Sequence, residues 1–294
     1  MTDAFTIAKH YGGRPSGGSY VLKSCPVCGY RDASVKNGDG GRLLFACPGN
    51  NCSFTDLMAT LRAQGLAPGL LDRDWTPPHR ATTKDTVKAD AMAEFARKLW
   101  HTTAPAAGTL PETYLRHRGI TMPVPPTIRY LPNALHKPTG LRLPCMVAAF
   151  ARSPDNKVCA VHRTFLTADG TRKAPVTQSK MTLGPVAGAA IRLAPAGPTL
   201  IVGEGIETTL SAMQATDLPG WAAFAAGNLR DLILPALPLA AEVIVAADHD
   251  FNGVGQNAAR AAAERWTEEG RKVRIALPPT AGTDWNDMIQ GEAA

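Results

Sequence analysis

The stretch EVIVAADHDFNG, residues 242–253, decides the fold. Its first half has the composition of a buried β-strand, with Val243, Ile244 and Val245 in an unbroken apolar run. Asp248 and Asp250 then stand two residues apart, ahead of an Asn252-Gly253 turn. At strand spacing the two carboxylates project from one side, a few ångströms apart. Such a pair repels itself unless something cationic sits between its members. The stretch therefore predicts a strand whose carboxyl end helps to hold a cation.

The flanking sequence repeats this arrangement. From Thr199 the chain reads TLIVGE, GIETTLSAMQAT, WAAFAA, NLRDLIL and EVIVAAD, then a long helix (Val254–Glu269) closed by Gly270, then the strand KVRIAL. That alternation predicts a parallel α/β sheet. Three acidic stations fall at or after strand ends: Glu204, with Glu207 one helical turn on; Asp248 with Asp250; and Asp284 with Asp287 in GTDWNDMI. Carboxyl ends of parallel strands line a common crevice. Carboxylates gathered there suit one or two Mg²⁺ ions, which prefer oxygen ligands and substrate phosphates. Two such ions activate an attacking oxygen and neutralise a leaving one, the usual route for phosphoryl chemistry on nucleic acids. Any one of these acids reads equally well as a solvated loop residue; three stations at matching positions do not. GEGIET (203–208) departs from a dinucleotide loop, since Thr208 takes the third glycine position and Glu204 would face the pyrophosphate. No G-x-x-x-x-G-K-[ST] motor motif occurs.

The charge is divided. The net +6 combines +13 over residues 1–198 (25 Lys and Arg against 12 Asp and Glu) with −7 over 199–294 (6 against 13). A basic front and an acidic back suggest a polyanion held by the first part and metal ions by the second. Uneven surface charge without function is the plain alternative. The chain has no apolar run of membrane-spanning length and no signal-peptide layout, so a cytoplasmic protein is expected.

In the basic part, Cys25-x2-Cys28, 18 residues, then Cys47-x4-Cys52 form a four-thiolate zinc pattern, each pair on a tight turn, CPVCG and CPGNNC. Strand-like flanks such as RLLFAC favour a zinc ribbon. Four protein ligands leave no open position, so the zinc is expected to be structural. Lys23, Arg31, Lys36 and Arg42 interleaved with Tyr20, Tyr30 and Phe45 suit single-stranded nucleic acid. Cys145 and Cys159 sit in apolar strand patterns and read as core. Residues 67–84, rich in Pro and polar residues, read as a linker. Asp85–Thr103 reads as a helix with Val87, Ala91, Phe95 and Leu99 as its apolar positions, and PETYLRHRGI as a second, starting at Pro111 and stopping at Gly119. LPCMVAAFA, KVCAVHRTFL and AAIRLAP predict an antiparallel unit between Ile128 and Leu193.

LIVGEGIETTLSA, VIVAADHDFNGVGQNAA and DWNDMI resemble the motifs of the Toprim domain shared by bacterial-type primases, topoisomerases and some nucleases. The variant is most similar to that of phage- and plasmid-type primases. AVHRTFLTADGTRKAP, KMTLGPVAGAAIRL and YLRHRGI resemble segments those primases place before Toprim, and the cysteine cluster resembles their zinc ribbon. The resemblance implies a mixed α/β chain of several domains: a zinc ribbon (1–66), a linker and helix (67–110), a mixed α+β basic subdomain (111–198) and a Rossmann-like Toprim domain (199–294). It implies a DNA primase that makes short RNA primers on single-stranded DNA from ribonucleoside triphosphates, for phage or plasmid replication, with a replicative helicase in trans. Carried over by position, Glu204, Asp248 and Asp250 are the catalytic metal-binding acids for Mg²⁺ or Mn²⁺, and Asp284 or Asp287 a further ligand. Arg163, Lys173 and Lys180 would bind template or nucleotide phosphates, and Asn228 a phosphate. A Toprim nuclease and a non-catalytic single-strand-binding or helicase-loading module are the alternatives. A topoisomerase is set aside, since it needs a catalytic tyrosine domain.

Overall fold

The computed structural model describes residues 3–16, 18–37, 43–47, 52–66, 83–251 and 253–291, with backbone only at 83–86 and 254. Arg42, Asn252, most of the expected linker at 67–84 and the interior of the CPGNNC turn lie outside the described residues. The chain divides into two compact units, Met1–Arg80 and Ala81–Ala294.

The first unit is a four-stranded antiparallel sheet preceded and followed in the chain by a helix, both of which share one core with it. Strands β1 (Arg14–Ser16), β2 (Ser19–Val21), β3 (Ser34–Asn37) and β4 (Leu43–Ala46) pair in chain order. Helix α1 (Ala4–His10) starts on Asp3, whose carboxylate accepts from the Thr6 N–H at 2.8 Å. Helix α2 (Phe54–Ala63) opens with a Ser53/Asp56 capping box, which satisfies two of its otherwise orphaned N–H groups. Ile7, Leu22, Val35, Leu57 and Leu61 form the core, together with the buried thiols Cys25 and Cys47.

The second unit is built on one mixed sheet with the order β14-β13-β11-β12-β10-β7-β6-β5, while β8 and β9 continue from β7. The parallel part is β11 (Thr199–Gly203), β12 (Gly220–Ala222), β13 (Glu242–Ala246) and β14 (Lys272–Ala276). The antiparallel part is β5 (Ala104–Pro105), β6 (Ile128–His136), β7 (Leu141–Arg152), β8 (Val158–Phe165), β9 (Lys180–Leu183) and β10 (Ala189–Arg192). The segments expected as a basic subdomain and an α/β domain are thus continuous. Ile191 and Arg192 pair antiparallel with Ala222 and Trp221 and join the two parts. β7 makes the branch: one edge serves β6 and then β10, the other runs along β8.

Helices cover both faces of the parallel part, as burial of a parallel sheet requires. α6 (Ala226–Asp231) and α7 (Val254–Glu268) bury Leu200, Val202, Val243, Val245 and Trp266 on one side. α5 (Ile206–Thr216) and α8 (Trp285–Gln290) cover the other. α5 approaches closely because Gly203 and Gly220 lie beneath it. A Cβ would fall 2.4 Å from Thr209 Oγ1 at the first and 2.7 Å from Met213 at the second. The helix before the sheet buries a different face from the one its larger apolar residues predict. In α3 (Thr83–His101), Val87 and Phe95 are 68% and 65% exposed, and Ala93 and Ala96 face the sheet with Leu99 and Trp100. Small residues there let the helix lie close to β8, where Arg97 donates to the Val158 carbonyl at 3.2 Å. α4 (Leu110–His117) carries YLRHR, with Tyr114 and Leu115 buried.

Candidate active site

Each acidic station lies beyond a parallel strand. Glu204 follows β11 directly and precedes α5; Asp248 and Asp250 follow β13; Asp284 follows β14 and caps α8. His249 ties two of these loops together: its N–H donates to the Thr283 carbonyl at 3.1 Å and its ring Nδ1 meets the Pro278 carbonyl at 2.8 Å. Asp284 is thereby held beside the Asp248 loop.

The carboxylates act on one another. Burial and then the Asp250 carboxylate push Glu204 up to about 7, against the Ala226 N–H and the Lys180 ammonium. Burial, then Glu204, Asp284 and Asp250, push Asp248 up to about 8, although the Thr208 hydroxyl donates to it at 3.4 Å. Asp248 therefore feels Glu204 and Asp284 more strongly than the neighbour two residues along, a departure from the strand-spacing picture because β13 ends at Ala246. Gly255, in the first turn of α7, faces the same space. A Cβ there would stand 3.4 Å from Asp250 Oδ2 and 3.6 Å from Glu204 Oε2. Carboxyls so disfavoured as anions fit a cation bound between them, as hard-cation sites require.

Asp287 differs from Asp284. Its Oδ2 accepts from the Asp284 N–H at 2.9 Å as the returning half of a capping box. Asp284 Oδ1 accepts from Asn286 and Asp287 N–H at 2.6 and 3.0 Å, and it is Asp284 that raises Asp248.

The expected basic residues separate into two groups. On β8, side chains alternate between faces. Arg163 points to the α3 side, its guanidinium 5.9 Å from the Phe165 ring centroid. Lys180, opposite Thr164 on β9, points to the α5 side with Lys173. There both ammonium groups meet Glu207, at 3.4 Å for Lys173 and 3.6 Å for Lys180. Burial pulls Lys173 below the usual lysine value. A cleft of about 390 Å³ lies beside it, where Arg118, Arg172 and Lys173 supply positive groups and Tyr114, His117, Thr171 and Gln290 further polar groups. Asn228 is a joint and not an open donor. Its amide donates to the Ala189 and Ala223 carbonyls at 2.8 Å each and accepts from the Gly188 N–H at 3.0 Å.

In the first unit the four cysteine sulfurs lie within 4.8 Å of one another. Cys25–Cys52 and Cys28–Cys47 are 3.9 and 3.6 Å apart. A tetrahedral zinc with Zn–S near 2.3 Å requires S···S separations of about 3.8 Å. The thiols fit that ion and are far beyond disulfide distance. Among the described residues no other His, Cys, Asp or Glu group is drawn together to this spacing, the acids of the second unit included. Lys23, Arg31, Lys36 and Tyr30 are exposed on the same unit, whereas Tyr20 and Phe45 pack on its core. Cys145 and Cys159 are buried in β7 and β8, as expected.

The C-terminal part of the second unit, residues 199–294, matches the family model of the Toprim domain. Residues 199–294 form a Toprim domain. Residues 90–193 match a domain of unknown function, DUF7146. The Toprim match begins at the first residue of β11 and takes in every acidic station. No curated protein matches the chain. Among solved structures, the chain is similar to the zinc-binding and RNA polymerase domains of the Aquifex aeolicus primase (13% identity, 100% of this chain and 80% of that one, TM-score 0.42). It is also similar to the E. coli primase catalytic core (16%, 69% and 75%, 0.42) and to the primase fragment of the bacteriophage T7 primase-helicase protein (14%, 92% and 94%, 0.38). Among the described residues no helix is long and apolar enough to cross a membrane.

Proposed function

We propose that the chain is a DNA primase, making short RNA primers on single-stranded DNA for phage or plasmid replication, with a helicase in trans supplying the unwound strand. The observation that carries this reading is the placement of Glu204, Asp248, Asp250 and Asp284 just beyond the parallel strands of a Toprim domain, where Gly255 faces both Asp250 and Glu204, with Lys180 within electrostatic reach of Glu204. The cysteine cluster before it and the basic cleft beside it support the same reading, as does the order of the sequence motifs.

In this reading Glu204, Asp248 and Asp250, with Asp284, hold divalent cations, Mg²⁺ or Mn²⁺. Such ions supply charge neutralisation at the reacting phosphate. The chain positions two ribonucleotides on the template so that the 3′-hydroxyl of one lies in line with the α-phosphorus of the other. The new O–Pα bond forms as the Pα–O–Pβ bond breaks; the hydroxyl proton is lost and pyrophosphate leaves. Lys173 and Lys180 face phosphate from the antiparallel side, and Arg118 and Arg172 extend that positive surface into the cleft. Positioning and charge stabilisation carry most of such catalysis. Arg163, on the opposite face of β8, serves a template strand only by a separate path. The zinc is structural, and the exposed cations and Tyr30 of the ribbon help to select the start site.

The test is primer synthesis from labelled ribonucleotides on single-stranded DNA with Mg²⁺ or Mn²⁺. Equal product from the wild type and Asp248→Ala refutes the assignment. DNA cutting without synthesis would instead place the chain with Toprim nucleases. Retained biological function with Glu204, Asp248 and Asp250 all neutralised would favour the non-catalytic loading module.

A further inference from the structure

Glu207 lies three residues beyond Glu204, in the first turn of α5, yet its surroundings are of the opposite kind. It is 5% exposed, and both of its oxygens are engaged. Oε1 accepts from the Tyr114 hydroxyl at 2.6 Å and lies 3.4 Å from Lys173 Nζ; Oε2 lies 3.6 Å from Lys180 Nζ. These partners come from three elements: Tyr114 from α4, Lys173 from the hairpin after β8, and Lys180 from β9. Glu207 itself belongs to α5 of the Toprim domain. Burial pushes its carboxyl up, but Lys180 and Lys173 together with the Tyr114 hydroxyl more than reverse this and hold it below the usual carboxylate range. Its carboxylate is an anion engaged by the two ammonium groups of the antiparallel side.

We propose that Glu207 is a positioning residue, a buried counter-anion that binds no divalent ion and touches no substrate but fixes the Lys173 and Lys180 ammonium groups beside the Toprim acids. The inference rests on the primase reading, within which those lysines meet phosphate. Their side chains are 35% and 38% exposed, so each keeps donors for a second partner while one side is held by Glu207. Lys180 is the closer link to catalysis, because its charge also reaches Glu204. Without Glu207 the two ammonium groups repel each other and swing toward solvent; their charge remains and their placement is lost. His162 supplies no replacement. Buried against the Phe224 ring, 4.3 Å between centroids, and surrounded by Lys180, Lys173 and Arg163, it is held neutral.

The test is a double-mutant cycle on primer synthesis and on binding of a fluorescent ribonucleoside triphosphate, with Mn²⁺ binding measured alongside. Glu207→Gln keeps the side-chain shape and should lower kcat/KM about tenfold or more, with Mn²⁺ affinity unchanged. In a Lys173→Gln/Lys180→Gln background the same change should have less than a threefold effect, because interacting residues are not additive. Full multiplication of the two effects, or loss of Mn²⁺ affinity in E207Q, overturns the inference. Should E207Q not fold, Tyr114→Phe removes only the hydroxyl that orients Glu207. It should then give a smaller loss that again vanishes without the lysines, and a loss independent of them overturns the inference. If the wild type makes no primers, the primase reading falls, and the nucleotide-binding cycle still decides the role of Glu207.

Discussion

Replacing Asp248 by Asn separates a converged acid cluster from a set of independent loop acids. In the folded chain the carboxyl is pushed from 3.8 up to about 8. A carboxyl raised in the fold is protonated there while the unfolded chain has already lost its proton. Its contribution to stability is complete below the unfolded value and is lost as pH rises through the folded one. At about 1.4 kcal/mol for each tenfold in proton affinity, the nominal loss is about 6 kcal/mol across that whole range and about 4 kcal/mol between pH 5 and pH 8. Residual solvent contact and sharing of charge with Glu204 and Asp284 reduce it, and roughly half, about 2–3 kcal/mol, is the working figure. For a unit of this size each kcal/mol moves the melting point by about 2–4 °C. Without added Mg²⁺, the wild type should melt about 5–10 °C lower near pH 8 than near pH 5. Asp248→Asn, which keeps an oxygen for the Thr208 hydroxyl, should show a clearly smaller drop, with Glu204 supplying what remains. Saturating Mg²⁺ should reverse the order near pH 8, raising the wild type more than the variant, since a ligand stabilises only the state that binds it. Thermal melts followed by circular dichroism measure all of this. A flat wild-type profile without Mg²⁺, or a variant that melts lower than wild type near pH 8, would show that the acids do not share one space.

The remaining expectations concern single contacts. Gly255→Val places branched carbon against Asp250 and Glu204 and should raise the Mg²⁺ midpoint for activity severalfold, with Gly255→Ala milder; an unchanged midpoint for both would detach α7 from the site. Asp284→Asn should weaken Mn²⁺ binding and Asp287→Asn should not, costing only about 1 kcal/mol of helix capping, which isothermal titration and melting distinguish. Removing zinc with a chelator should unfold Met1–Arg80, since metal binding there is folding energy, while the Ala81–Ala294 melting transition stays in place; retention of the ribbon's circular dichroism would count against a structural ion. Gly220→Ala drives a methyl into Met213 and Thr209 and should cost about 1–3 kcal/mol of stability.

What the sequence carried well was whatever depends on short spacing. The two Cys pairs, the apolar strand runs and the acids at strand ends are local patterns, and the structure uses them in the expected places. What it carried poorly depends on distant partners. Nothing in DTVKADAMAEFARKLWH distinguishes a face with Val87 and Phe95 from one with Ala93 and Ala96. The choice is made by β8, whose approach favours the small residues. The fusion of the antiparallel and parallel parts rests on two paired residues of β10 and β12, some thirty positions apart. One missed element did have a local signal: Asp284-x-x-Asp287 is a capping box, and it announces α8 directly ahead of the last apolar residues.

Glu204 and Glu207 show why an inventory of acids from sequence overstates what each one does. Glu204 stands just ahead of α5 and Glu207 in its first turn, three residues apart, and sequence spacing treats them alike. The fold gives one a carboxylate neighbour and the other two ammonium groups and a phenol. Glu204 is thereby strained as an anion and is open to a cation, while Glu207 is already neutralised and has nothing left to offer one. The difference comes from residues as far away as Tyr114, 93 positions upstream. The short passage from β11 into α5 thus joins two electrostatic jobs, gathering cations on the Toprim side and fixing lysines on the antiparallel side. The sheet that unites those sides keeps the two jobs in register, so a change that loosens the β10–β12 junction should impair activity without touching any charged group.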